Sequence, residues 1–343
     1  MRAPLGEVYN AQACGTFSVA EEFLSAGDEW RGMNRRTTLS TLAVATMLGL
    51  PRIARGANPT SLQLGTMGAD GSAEPFYGAD HNFFKDAGFD VNITVMNNTS
   101  QLASAVAGGA LEIGYGSVIP LAQAHLRGLE FRVIAPALIY NAPALTNVIM
   151  TGKNSTVKTA ADLNGQVVAV NGLRDLTQYE MQAWIDQNGG DVKSVKLIET
   201  PFSEMGVALE TGRVAAAILA EPFTTGALAQ ARVIGNASEA VGKHYMVTSW
   251  FATTSWLQKN AETAKRMQAT MLKIARWANE NHAETQAIVV KHTKITPEVA
   301  AKMLRSTYGE SKADAALLQP VLDLAVKYGG MQPVAAATLL WQG

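Results

Sequence analysis

From residue 60 onward, short apolar runs alternate with longer stretches whose apolar positions recur every three or four residues, the pattern of strands and helices taking turns. The runs SLQLGTMG, VNITVM, EIGYGS, FRVIAPAL, NVIMTG, VVAVNG, VKLIE, AAILAEP and ARVIG read as strands. Between them, Gln101–Ala107, Thr177–Asn188 and Phe202–Thr211 read as helices, the last stopped by Gly212. After Trp256 the strand pattern gives way to helix, with Ile274, Trp277 and Val289 on the expected buried faces. This alternation predicts an α/β fold of mainly parallel sheets flanked by helices, because parallel neighbours need a crossover between them. A strand-rich body with a helical C-terminal region fits a chain that leaves one lobe, builds a second and returns. The crossings are expected near Asn141–Thr146 and near Thr248–Thr254, which assigns residues 58–145 and 251–343 to lobe 1 and 146–250 to lobe 2.

The first 57 residues do not follow this pattern. From Met33, a twin-arginine pair (Arg35, Arg36) precedes an apolar run from Leu39 to Leu50 and small residues at Ala54, Gly56 and Ala57, which reads as an export signal spanning about 33–57. The arginine pair points to the Tat route, and Thr38 where a Phe is common leaves Sec export open. The apolar run is too short for a membrane span, which needs about 20 residues. Residues 1–32 have no role in either route and read as an upstream extension from a misassigned start. The expected product is an exported, soluble periplasmic protein beginning near Asn58.

Composition narrows the partners. The chain has 343 residues, 48% of them hydrophobic, enough for two lobes with sizeable cores. A net charge of -1 gives no basic footprint for nucleic acid. The single cysteine, Cys14, precedes the export signal, so the exported chain would have no disulfide, thiol nucleophile, thiolate metal site or lipid-anchor cysteine.

In open α/β sheets, ligands collect where strands end and helices begin, because free backbone N–H groups point there. Four such turns hold more glycine, hydroxyl or charge than a connection requires. The first is GTMGADGSAEPFYGADHNFF, with Gly68, Asp70, Gly71 and Ser72, and with Phe76 and Tyr77 as possible walls. In NNTSQ, Thr99 or Ser100 is expected to cap the next helix, and capping alone would account for the hydroxyls. In GYGS, Ser117 follows a strand whose Gly116 lets a ligand approach the main chain, and Tyr115 faces either the core or that ligand. In VNGLRDLTQ, Asp175 is a natural cap after Gly172, while Arg174 is either an anion clamp or a solvated side chain. Glu221, in LAEPF, stands just beyond a further strand.

Motifs for chemistry are missing: there is no GxSxG, HExxH or Walker loop, and His81, His125, His244, His282 and His292 lie at spacings that suggest no metal pair. No cofactor and no metal are expected.

Taken in order, these segments resemble the periplasmic solute-binding proteins of ABC importers of the nitrate/sulfonate/taurine type. Phe83-Phe84, Gly88, Val91 and Gly109–Gly114 match that family's opening half, with Glu112 where Asp is common. TAADLNGQVVAV is similar to its second-lobe entry, and ALETGRVAAAILAEPF to a later motif, with Ala215 or Ala216 where Asp is usual. The resemblance covers about residues 60–330. It implies a two-lobed type II periplasmic binding-protein fold with two hinge crossovers, closing on a solute. It also implies that the loops around Met67–Ser72, Thr99–Ser100, Ser117, Gly172–Asp175 and Glu221 face the cleft.

The expectation is therefore a monomeric solute receptor that delivers a small molecule to ABC permease subunits. Arg174 and the helix starts favour an anionic group, Asp70, Glu74 and Glu221 favour donors, and Phe76, Tyr115, Tyr140 and Trp250 offer apolar surface. A small organic, anionic solute is the favoured class. Two alternatives are a sensor module and an enzyme on the same fold, either desulfinase-like or pyrimidine-precursor-synthase-like. The enzyme reading is disfavoured because its relatives use cysteine.

Overall fold

The computed structural model describes residues 58–293 and 295–343; the expected export signal at 33–57 lies outside them. In chain order the elements begin β1 (Thr60–Thr66), α1 (Glu74–Asp80), α2 (Phe83–Asp86), β2 (Phe89–Val95), α3 (Thr99–Ala107), β3 (Gly114–Gly116), α4 (Val118–His125), β4 (Phe131–Pro136) and β5 (Leu138–Asn141). There follow β6 (Asn147–Gly152), β7 (Val167–Val170), α5 (Leu176–Gln187), β8 (Lys196–Glu199), α6 (Phe202–Glu210), β9 (Ala216–Ala220), α7 (Phe223–Ala227) and β10 (Ala231–Asn236). The chain ends with β11 (His244–Met246), β12 (Ser249–Thr253), α8 (Thr254–Lys259), α9 (Ala261–Glu280), α10 (His282–Thr293), α11 (Pro297–Lys302), β13 (Thr307–Tyr308) and α12 (Ala315–Lys327).

Two larger sheets of similar design result, together with a three-stranded sheet in the order β11-β5-β13. In the first, β1 pairs parallel with β2, a Leu64–Ile113 bridge joins β1 to the β3 segment, and β12 runs antiparallel between β3 and β4. In the second the order is β10-β6-β9-β7-β8, with β7 parallel to β8 and β9, and β6 antiparallel to β9 and β10. Both larger sheets are mainly parallel, as expected, with one antiparallel strand in each. In each, the antiparallel strand is the one that enters after the chain has passed over from the other lobe.

Alternation within the second sheet builds two cores. Ile149, Val168, Val170 and Ile218 face one helical layer, whereas Val148, Met150, Ala169, Ala217 and Leu219 face the other. The first lobe has one large core to which the C-terminal helices contribute Met267, Met271, Ile274, Val289 and Leu322. Trp277 is only partly buried against it.

The passages between lobes lie side by side. The outgoing one runs from β5 to β6. The return was expected within Thr248–Thr254, but β11 already pairs with β5 and β12 with β3 and β4, so it falls between Asn236 and His244. Ala142 N–H donates to Lys243 O at 2.8 Å, tying one passage to the other. Beneath them, the buried Glu180 of α5 accepts from Asn147 Nδ2 at 2.7 Å and Tyr245 OH at 2.9 Å, and Ser238 Oγ lies at 3.4 Å. Burial pushes the Glu180 carboxyl up to about 7, against the pull of those donors.

Candidate functional site

The strand ends of both sheets open onto one cavity of about 250 Å³, the room of roughly eight waters. From the first lobe it is lined by Met67, Ala69 and Gly71 after β1, Thr99 at the start of α3, and Tyr115 and Ser117 around β3. The second lobe contributes Asn171 and Asp175 between β7 and α5, Thr177 in the first turn of α5, Phe202 of α6, and Ala220 and Glu221 at the end of β9. The interlobe passages add Leu145 and Thr146, Val247 and Thr248 follow β11, and Leu304–Ser306 close the wall from the C-terminal region.

Two helix starts meet across this space. Ser117 caps α4, accepting from Ile119 N–H at 3.3 Å, and Asp175 caps α5, accepting from Leu176 N–H at 2.7 Å. Ser117 Oγ also donates to Asp175 Oδ1 at 2.5 Å, linking the caps of opposite lobes. Thr99 supports the pair, its hydroxyl accepting from Ser117 N–H at 3.2 Å. Gly116 permits this approach, since a Cβ there would lie 2.3 Å from Thr99 Cγ2. Other bonds cross between lobes: Asp70 N–H to Glu221 O at 2.9 Å, Leu304 N–H to Glu221 Oε1 at 3.3 Å, Asn171 Nδ2 to Asn97 O at 3.1 Å and Asn98 Nδ2 to Glu199 Oε1 at 3.1 Å. The lobes are thus drawn together over the cavity.

Asp175 and Glu221 are both buried in the cavity wall. Burial raises the Asp175 carboxyl above its ordinary value, opposed by donors from Ser117, Leu176 and Thr99. Burial likewise raises Glu221, opposed by Thr225 and the Leu304 N–H. Arg305, the lining cation, forms an ion pair with Asp70, its Nη2 2.9 Å from Oδ1, and donates from Nη2 to Tyr77 OH at 2.8 Å. Burial works against its charge, yet Asp70 and the Tyr77 and Tyr308 hydroxyls outweigh that effect and hold it above the ordinary guanidinium value. Ser306 N–H reaches the other Asp70 oxygen at 2.8 Å.

The sequence-derived candidates separate into two groups. Met67, Thr99, Ser117, Asp175 and Glu221 line the cavity, whereas Gly68, Asp70, Ser72, Phe76, Ser100, Gly172 and Arg174 do not. Asp70 is fully buried beneath Arg305. The Ser72 hydroxyl folds its own loop, meeting Met67 O at 2.7 Å and Ala69 O at 2.8 Å. Phe76 is on α1 and stacks against His292 with centroids 4.5 Å apart, inside the first lobe. Gly172 packs against the Asp175 cap, where an added Cβ would lie 3.1 Å from Asp175 Cβ. Ser100 is exposed, and the cap of α3 is neither it nor Thr99 but Asn98, whose side chain accepts from Gln101 N–H at 3.0 Å.

Of the two roles read for Arg174, anion clamp or solvated side chain, its placement fits the second. Its φ of +58° belongs to the left-handed region, and its exposed guanidinium reaches Gly330 O at 3.4 Å. Tyr140 and Trp250 are fully buried off the cavity, the Trp250 indole donating to Glu74 Oε2 at 2.8 Å. Tyr115 does line it, its hydroxyl donating to Gly71 O at 3.0 Å and accepting from Thr248 Oγ1 at 2.8 Å. Among the lining residues that sequence reasoning missed are Asn171, Phe202, Thr248 and Leu304–Ser306. The only local signal of Leu304–Ser306 is an arginine in a polar turn, since Arg305 is a cavity residue through contacts with Asp70 and Tyr77, more than two hundred positions away.

Among the described residues no cluster of His, Cys, Asp and Glu could hold a metal ion, and no helix is long and apolar enough to cross a membrane.

Comparison with known proteins gives the geometry its relatives. A family model described as NMT1/THI5 like matches residues 72–285, more than half of the chain. No curated protein matches it in sequence. Among solved structures, the periplasmic aliphatic sulphonate binding protein SsuA from Escherichia coli is similar at 20% identity and TM-score 0.66, covering 83% of this chain and 98% of that one. The periplasmic nitrate-binding protein NrtA from Synechocystis PCC 6803 is similar at 14% identity and TM-score 0.67, covering 82% and 84%. The desulfurization enzyme DSZB shares the fold at 13% identity and TM-score 0.61, covering 82% and 96%. At these identities the likeness is one of fold.

Proposed function

The chain belongs to the NMT1/THI5-like family, and on that premise we propose that it is the solute-binding component of an ABC importer, acting as a monomer outside the cytoplasmic membrane. A small organic solute enters between the separated lobes, the lobes close over it, and the closed form docks on the permease. The observation that carries this reading is the cavity itself: both lobes wall it, and hydrogen bonds such as Ser117–Asp175 and Asp70–Glu221 join them around it. A concave, mostly apolar space with a few fixed polar groups is how proteins hold small ligands.

The same geometry revises the expected solute. Arg174, one reading of which is an anion clamp, lies off the cavity, so the solute is defined here by size and by partly apolar character rather than by a negative charge. The fold shared with a desulfurization enzyme raises a catalytic reading, but the cavity lining among the described residues contains neither histidine nor cysteine. That composition favours binding.

A thermal-shift screen of the full chain tests this. A solute at 100 times its Kd adds about 2.7 kcal/mol of stability, so at least one class among amines, neutral heterocycles, carboxylates, sulfonates and nitrate should raise the unfolding midpoint. A midpoint unmoved by all of them would overturn the solute-binding reading.

A further inference from the structure

The cavity wall holds more negative charge than its own residues match. Asp175 is 6% exposed and Glu221 7% exposed, and among the described residues neither has a Lys, Arg or His nitrogen within 4 Å. The lining cation Arg305 is already paired with Asp70, whose side chain is fully buried behind it.

Hydrogen bonding suits both carboxyls in their ionised, acceptor-only form. Asp175 Oδ1 accepts from the Ser117 hydroxyl and Leu176 N–H. Glu221 Oε1 accepts from the Thr225 hydroxyl and Leu304 N–H, and Oε2 from Thr225 N–H. All of these partners are neutral donors, which favour the carboxylate over the acid. Two charges held this way, out of water and without a counter-ion, are what a bound cation would relieve and a bound anion would worsen.

We propose that the cleft selects a cationic solute, one that carries a protonated amine or amidinium matched by Asp175 and Glu221, over an anion of the same shape. This rests on the solute-capture reading and names its ligand class. It sets the chain apart from the sulphonate- and nitrate-binding proteins that share its fold.

The test is calorimetric titration of the full chain at pH 7.5 with isosteric sets: benzamidine, benzamide and benzoate, and primary alkylamines with the matching alkanols, carboxylates and sulfonates. The best cation should bind at least tenfold more tightly than its isosteric anion. Glu221→Gln and Asp175→Asn should each remove most of that preference. Asn caps a helix about as well as Asp, so Asp175→Asn is expected to fold, with circular dichroism as the check. An anion that binds as tightly as its cationic isostere, or a preference that survives in both variants, overturns the charge assignment while leaving solute capture intact. If no member of any charge class binds, the solute-capture reading falls and this proposal with it.

Discussion

The Ser117–Asp175 bond joins residues of opposite lobes, so removing it should act on the closed arrangement more than on the fold. A hydroxyl at 2.5 Å from a buried carboxylate is a charge-assisted hydrogen bond, worth about 1.5–3 kcal/mol net. In Ser117→Ala this is lost only when the lobes meet, and at 1.4 kcal/mol per tenfold it weakens solute affinity roughly 10- to 150-fold. Ser117 also caps α4 through Ile119 N–H, so the same change should lower unfolding stability by about 1 kcal/mol. The two effects separate in the assays: urea denaturation reads the cap, and calorimetric titration with the best solute reads the latch. A double-mutant cycle with Asp175→Ala, which removes the acceptor, then isolates the coupling, expected at about 1.5–3 kcal/mol in binding. An affinity within twofold of the wild type, alongside the expected drop in stability, would refute the latch and leave Ser117 as a cap alone.

Other consequences are open to equally direct measurement. Glu180 is raised to about 7 in the folded state from an ordinary value of 4.5, so its contribution is present below about pH 4.5 and lost as pH rises through 7. That amounts to about 3 kcal/mol, and Glu180→Gln should flatten the fall in urea stability between pH 5 and pH 8. An unchanged pH slope would show that another group carries it. Arg305→Ala strands the fully buried Asp70 without its partner and should cost about 3–5 kcal/mol; a loss under 1 kcal/mol would mean that the pair does not form. Gly116→Ala would place a Cβ 2.3 Å from Thr99 Cγ2, so its unfolding free energy should fall by about 1–3 kcal/mol and solute affinity should fall with it. Unchanged affinity would detach Thr99 from the site.

Local chemistry made much of the fold legible and only part of the site. All nine apolar runs identified in the sequence are strands, because β-branched and alternating residues report directly on a half- or fully buried sheet. The placement of β12 was not legible. SWFAT reads as apolar in either lobe, and what assigns it to the first is its pairing with β3 and β4. In NNTS every residue is a competent cap, and the extended backbone of Asn98, at φ −154° and ψ 169°, decides which one serves. Arg174 stayed open between clamp and solvated side chain because a cation beside a helix start suits either, and its left-handed backbone accompanies a guanidinium that bonds Gly330 outside the cavity. Arg305 escaped notice because its partners come from the far end of the chain.

Filling the space between the lobes shows whether the solute is held there. Ala220, at the end of β9, lines the cavity, and Ala220→Trp should occupy it while leaving the sheet intact. Calorimetric titration of the best solute should show one site on the wild-type chain and no detectable binding to the variant. One-site binding of unchanged affinity to a folded Ala220→Trp chain would contradict the account.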